Sequence, residues 1–123
     1  RYGSDALDAS LLLVVLTRFL PPDDPRVRAT VLAIADELTE EGLVLRYRVH
    51  ETDDGLSGEE GTFTICSFWL VSALVEIGEV ARAKRLCERL LAYASPLHLY
   101  AEEIEPRTGR HLGNFPQAFT HLA

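Results

Sequence analysis

Residues 61–78, GTFTICSFWLVSALVEIG, decide how the chain folds. Phe63, Cys66, Phe68, Trp69, Ala73, Leu74 and Ile77 recur at helical spacing, which predicts a thick apolar helix from Thr62 to near Gly78, where a glycine can take the left-handed conformation that ends helices. Directly after it Val80, Ala83, Cys87, Leu90, Leu91 and Ala94 repeat with the same period until Pro96 interrupts. The stretch therefore reads as two antiparallel helices with almost no linker.

Upstream, Ser4 can cap a helix whose first turn carries Asp5 and Asp8, both favourable at the positive end of the helix dipole. Its apolar run continues to Phe19 and Leu20 before Pro21-Pro22 stops it, and Leu11 to Leu16 is apolar on all sides, the pattern of a helix buried on several faces. Asp24 caps a second helix with Pro25 at its first position; Val27, Val31, Ile34, Ala35 and Leu38 form one apolar face, and Gly42 is expected to terminate it. Leu43 to Val49 alternates and reads as a short strand or an extended connector. His50 to Gly61 reads as a polar loop; its Asp53-Asp54-Gly55 lacks the alternating oxygen ligands and closing Glu of a calcium loop, so no metal is assigned there.

Downstream of the hairpin come an extended Leu97 to Tyr100, an acidic loop from Ala101 to Glu105, a turn at Pro106-Arg107-Thr108-Gly109, and Asn114, expected to cap a last helix. About five helices with at most one short strand make an all-α class.

Composition narrows the partners. The 123 residues carry 12 Lys+Arg against 19 Asp+Glu, a formal charge of −7, which argues against binding a phosphate backbone. Nucleic acid is not expected as a partner. The longest apolar run, Leu11 to Leu16, is far short of the roughly 18 residues that span a bilayer, so no membrane partner is expected either. Cys66 and Cys87 lie on helical apolar faces and read as buried free thiols, which suits a reducing cytoplasm. His50, His98, His111 and His121 never pair at the spacing that lets a helix hold zinc, Gly55-Leu56-Ser57-Gly58 lacks the spacing of a nucleophile elbow, and no glycine loop is built for phosphate. No cofactor is expected. The chain contains no methionine and ends at Thr120-His121-Leu122-Ala123 with no helix stop signal, so both ends read as cut.

Three segments carry more. Gly61 to Leu70, then Ala101-Glu102-Glu103-Ile104, then Gly113-Asn114-Phe115-Pro116-Gln117-Ala118-Phe119-Thr120-His121 resemble, in order and spacing, the C-terminal part of the bacterial glucoamylase and trehalase-like enzymes of glycoside hydrolase family 15. The resemblance extends to Leu7-Asp8-Ala9 and to the Pro21–Val27 boundary. It implies an (α/α)6 barrel of two concentric helix rings with a glucose pocket at one end, of which residues 1–123 are the C-terminal portion, about half, truncated at both ends. Leu11–Leu16 would belong to the inner ring and the one-sided helices to the outer. An isolated half-barrel would expose inner-ring surface, self-associate, and need the missing N-terminal part of the same barrel as its partner.

The implied chemistry is hydrolysis of a terminal α-glucosidic bond with inversion, which needs one carboxylic acid to protonate the leaving oxygen and one carboxylate to activate water on the opposite face, roughly 6.5–9.5 Å away. By the resemblance Glu102 is the general base; on composition alone it would read as an ordinary loop acid. Glu103 takes a polar helper role toward sugar hydroxyls. The pair Arg46-Tyr47 matches a family Arg-Tyr in which the arginine donates to sugar hydroxyls. Phe63, beside the acidic loop, is the aromatic expected to meet a pyranose, whereas Trp69 at helical spacing reads as core. The family's general acid lies in an upstream Trp-Glu, and here the single Trp69 is followed by Leu70. The chain thus carries half a catalytic pair and is expected to be inactive alone. Its substrate would be a small carbohydrate, trehalose or a short α-glucan.

A rival reading takes Leu74 to Ala94 as a tetratricopeptide-type hairpin in an α-helical interaction module. No repeat of about 34 residues appears elsewhere in the chain, and such modules normally stack three or more.

Overall fold

The computed structural model describes residues 6–48 and 62–123. The Ser4 cap and the loop containing Asp53-Asp54-Gly55 lie outside the described residues.

Asp8, expected within the first helical turn, instead caps it. Its carboxylate accepts from the Ser10 amide at 2.8 Å, and a 3₁₀ turn over Ala9–Leu12 runs into α1, Leu13–Leu16. Arg18 adopts a positive φ of 59°, so the helix ends well before Pro21. Within the apolar run Leu12 and Val15 are buried while Leu11 remains 41% exposed. Leu13, Val14 and Leu16 are half-buried, so the surface expected to lie open is covered only in part within the chain itself.

The second helix forms as its signals predict. Asp24 accepts from the Arg26 amide at 2.9 Å and Pro25 opens α2, Pro25–Glu37. The Arg26 guanidinium adds side-chain hydrogen bonds that hold the Asp24 carboxyl down to about 2. Gly42, however, does not end this helix. Thr39–Glu40 (β1) and Leu43–Val44 (β2) pair antiparallel, and Glu41 and Gly42 make the two-residue turn with φ of 49° and 82°, the mirror-image geometry that tight hairpins require.

The main departure from an all-α chain lies after the loop. Thr62–Phe63 (β3) is a strand, not the first helical turn, and pairs antiparallel with Glu103–Ile104 (β4), which pairs with His111–Leu112 (β5). The acidic loop of the sequence reading is thus the central strand of a three-stranded sheet. The turn at Pro106–Gly109 is confirmed: Glu105 accepts from the Thr108 amide at 2.9 Å and from its hydroxyl, whose hydrogen bond holds the Glu105 carboxyl below its ordinary value. Among the described residues Asn114 caps no helix, and the helical piece near the C-terminus is a 3₁₀ turn over Thr120–Leu122.

At the centre stands α3, Thr64–Glu76, with seven buried residues from Thr64 to Leu74. Gly78, at φ 86°, ends it, and α4, Val80–Ala92, folds back against it. One core cluster joins Leu12, Val15, Val31, Ile34, Leu70 and Leu74; a second joins Leu43, Leu90 and Ile104 beneath Phe68 and Tyr93. Polar ties close the gaps. The Val44 amide donates to the buried Ser67 hydroxyl at 2.9 Å, the Arg82 guanidinium donates to the Ala35 carbonyl at 2.9 Å, and the Tyr100 hydroxyl donates to the Leu90 carbonyl at 3.1 Å. Cys66 and Cys87 are both free, the first buried and the second half-buried. Among the described residues no helix is long and apolar enough to cross a membrane.

Leu74 is fully buried, touching the cores built by α1, α2 and α4. Leu74→Ala should cost about 2–5 kcal/mol of unfolding free energy through lost burial and a residual cavity. Urea titration should show a lower midpoint at unchanged slope.

Candidate functional site

Of the residues singled out from the sequence, Phe63, Glu102 and Glu103 meet at the N-terminal end of α3. Phe63 occupies the cap position and has no side-chain hydrogen bond to offer the free helix amides. The main chain of residue 102 does that work: its carbonyl accepts from the Thr64 amide at 2.9 Å. Glu102 is thereby placed where the helix begins, one residue before the strand that pairs with β3. Phe63 and Glu103 are direct cross-strand partners, so the expected proximity of Phe63 to the acidic segment holds. Phe63 is half-buried and leans on the core, so its ring is in part structural.

The Glu102 side chain is held on one oxygen. Its Oε2 accepts from Asn114 Nδ2 at 2.9 Å and from the Asn114 amide at 3.2 Å, while the Glu102 amide donates to the Asn114 carbonyl at 2.9 Å. Among the described residues Oε1 makes no hydrogen bond or ion pair. A half-buried carboxylate with one oxygen pinned and one free is the arrangement a general base needs, because the free lone pairs can accept a proton from a water in a fixed place.

Glu103, also half-buried, faces Leu112 as well as Phe63 across the sheet, and it is engaged with its surroundings in the folded chain. Arg46 is exposed. Its main-chain carbonyl accepts from the Ala9 amide at 2.8 Å, and its guanidinium carbon lies 5.4 Å from the centre of the Tyr47 ring. Stacking of this kind steadies a cation without using its N–H donors. Among the described residues the Arg46 guanidinium makes no hydrogen bond or salt bridge.

The Cys66 thiol sits in the first turn of α3. Burial pushes the thiol up to about 12; Arg46 opposes that shift and Asp8 adds to it, so both charges are felt there. Trp69 packs against the core and meets Phe119 edge-on with ring centres 6.2 Å apart, in keeping with its reading as a packing residue.

Three contributors escape the sequence reading. Asn114 reads there as a helix cap, because Asn before an apolar segment is a common cap signal. Gly113, at φ 70°, has no room for a side chain: a Cβ would stand 2.8 Å from Glu102 Oε2. Thr64, 1% exposed, has a hydroxyl that finds no hydrogen-bond partner among the described residues, uncommon for a buried polar group. Only the positive-φ glycine preceding Asn114 leaves a trace in the sequence, and Gly-Asn is too common a pair to interpret alone. No group of three His, Cys, Asp or Glu among the described residues is placed to hold a metal.

The family model described as glycosyl hydrolases family 15 matches residues 1–84. The trehalase of Mycobacterium tuberculosis is 93% identical over 123 residues, 100% of this chain and 18% of that protein. The trehalase of Mycolicibacterium smegmatis is 90% identical over the same length and share. The trehalase of Thermoplasma acidophilum is 41% identical over 121 residues, 98% of this chain and 20% of that protein. No solved structure matches the chain. The chain spans about a fifth of the length of these relatives, and the two mycobacterial matches run through Glu102 and Asn114 as well as through the segment that the family model covers. A lone interaction hairpin would not extend this likeness over the whole chain: the chain belongs to the glycosyl hydrolases of family 15.

Proposed function

We propose that the chain is the part of an inverting α-glucosidase that supplies the general base, with trehalose or a short α-glucan as substrate and Glu102 as the base. The observation that carries the reading is the Glu102 carboxylate, pinned through Oε2 and open at Oε1 at the start of α3. Water bound at Oε1 gives up its proton as its oxygen attacks the anomeric carbon. The glycosidic oxygen leaves on the opposite face, protonated by a carboxylic acid from elsewhere in the longer protein, since no Trp-Glu occurs in this sequence. Attack from the face opposite an α-linked leaving group yields β-glucose. The trehalases that align with the whole chain support trehalose as the first substrate to test.

In this reading Arg46, stacked on Tyr47, turns its unused donors to sugar hydroxyls, Phe63 lends an apolar edge to the ring, and Glu103 contributes binding from the sheet side. The remainder of an (α/α)6 barrel would pack on the apolar side chains this chain leaves uncovered, among them Phe19 at 79% and Leu122 at 82% exposure.

In the full-length protein Glu102→Gln should lower turnover by about 10²–10⁴-fold with the fold intact, because the amide keeps the shape but accepts no proton. Glu103→Gln should cost less. Azide should partly restore Glu102→Ala and give a β-glucosyl azide, read by NMR of the product; a larger loss at Glu103 would move the base by one residue. Arg46→Ala should cost on the order of 2–3 kcal/mol in kcat/KM, and unchanged kinetics would remove Arg46 from the site. The isolated chain should bind a hydrophobic dye and self-associate in sedimentation, whereas a rigid monomer without dye binding would count against the barrel.

A further inference from the structure

We propose that Asn114 is the positioning residue of the base, a role that rests on Glu102 being that base. Residue 114 holds residue 102 through three hydrogen bonds: two donated to Oε2, from the side-chain amide at 2.9 Å and the main-chain amide at 3.2 Å, and one accepted by its carbonyl from the Glu102 amide at 2.9 Å. The preceding Gly113 lets the main chain pass directly against the carboxylate, where a Cβ would meet Oε2 at 2.8 Å and the Glu102 Cβ at 3.0 Å. Two consecutive residues are thus shaped to one carboxyl group.

The arrangement decides which oxygen does the chemistry. With both donors on Oε2, the carboxyl plane is fixed and the proton from water goes to Oε1. A neutral amide suits this task better than a cation: it orients the carboxylate without cancelling the charge on which the base depends. Asn114 need not be an asparagine to hold the segment together. The bond from the Glu102 amide to the Asn114 carbonyl and the bond from the Gln117 amide to the Tyr100 carbonyl, 3.0 Å, are main chain to main chain and survive any change of side chain. What a substitution removes is the Nδ2 bond, whose partner is the carboxylate.

The experiment uses the full-length protein, with trehalose or whichever short α-glucoside it cleaves. Asn114→Asp keeps the shape and replaces the donor by an acceptor; Asn114→Ala removes the side chain. Both should lower kcat by about 10–100-fold with KM within about two-fold, because orientation of the attacking water is needed only in the transition state. The second readout places Asn114→Ala in a Glu102→Ala background with azide as the nucleophile. With no carboxylate left to position, the azide reaction of this double variant should match that of Glu102→Ala alone to within about two-fold. An equal loss in that background would make Asn114 a structural residue and overturn the proposal, as would an unchanged kcat in both single variants. If Glu102→Ala alone keeps full activity, the base assignment fails first, an outcome separate from either result at residue 114.

Discussion

The hydrogen bond from the Thr64 amide to the Glu102 carbonyl joins the two halves of the molecule. A helix as apolar as α3 buries its flanks, and its first amides then need partners that water cannot supply. No side chain at its cap position provides one. The residue leading into β4 does so, and this forces the C-terminal sheet to lie against the start of the helix. The pairing of Phe63 with Glu103, the burial of Ile104 beside Leu43 and Leu90, and the placement of an acidic side chain at the helix mouth all follow from that docking.

The rest of the framework keeps α3 upright. Ser67, buried inside the helix, accepts from the Val44 amide and so ties the first hairpin to its flank. Arginines reach across to carbonyls that the helix ends leave unpaired: Arg28 to Ile77 at the end of α3, and Arg82 to Ala35 at the end of α2. These contacts put positive charge at the negative ends of helix dipoles and satisfy acceptors at the same time. An acidic chain thus commits part of its few cations to its frame, whereas Arg46 stacks on Tyr47.

Much of the helical frame was legible in the sequence because its signals are local. Asp24-Pro25 starts a helix and Gly78 ends one by conformational preference alone, and the periodicity of Phe63 to Ile77 and of Val80 to Ala94 needs no distant partner. What failed was long-range. Glu103-Ile104 is a strand because Thr62-Phe63 and His111-Leu112 flank it, and a two-residue strand has no period to detect. Gly42 and Asn114 carry signals shared by several structures, hairpin turn against helix end and side-chain tether against cap, and only the folded chain decides between them. In the candidate site the acids and Arg46 are legible only through a likeness to known enzymes, whereas the grip on Glu102 depends on a residue brought to it by the fold.

Gly113 carries a constraint of another kind. It is held by two independent requirements, a backbone at φ 70° and a carboxylate where its side chain would be. Shortening the acid at residue 102 would remove the contact with its carboxylate but leave the contact with its Cβ and the conformational demand; straightening the loop would relieve the conformation and detach the amides of Asn114. Neither neighbour can change first and open a path for the glycine to drift. Over evolutionary time the position should stay fixed as long as the carboxylate does, and its replacement would be a cheap sign, in a related sequence, that the base has been lost.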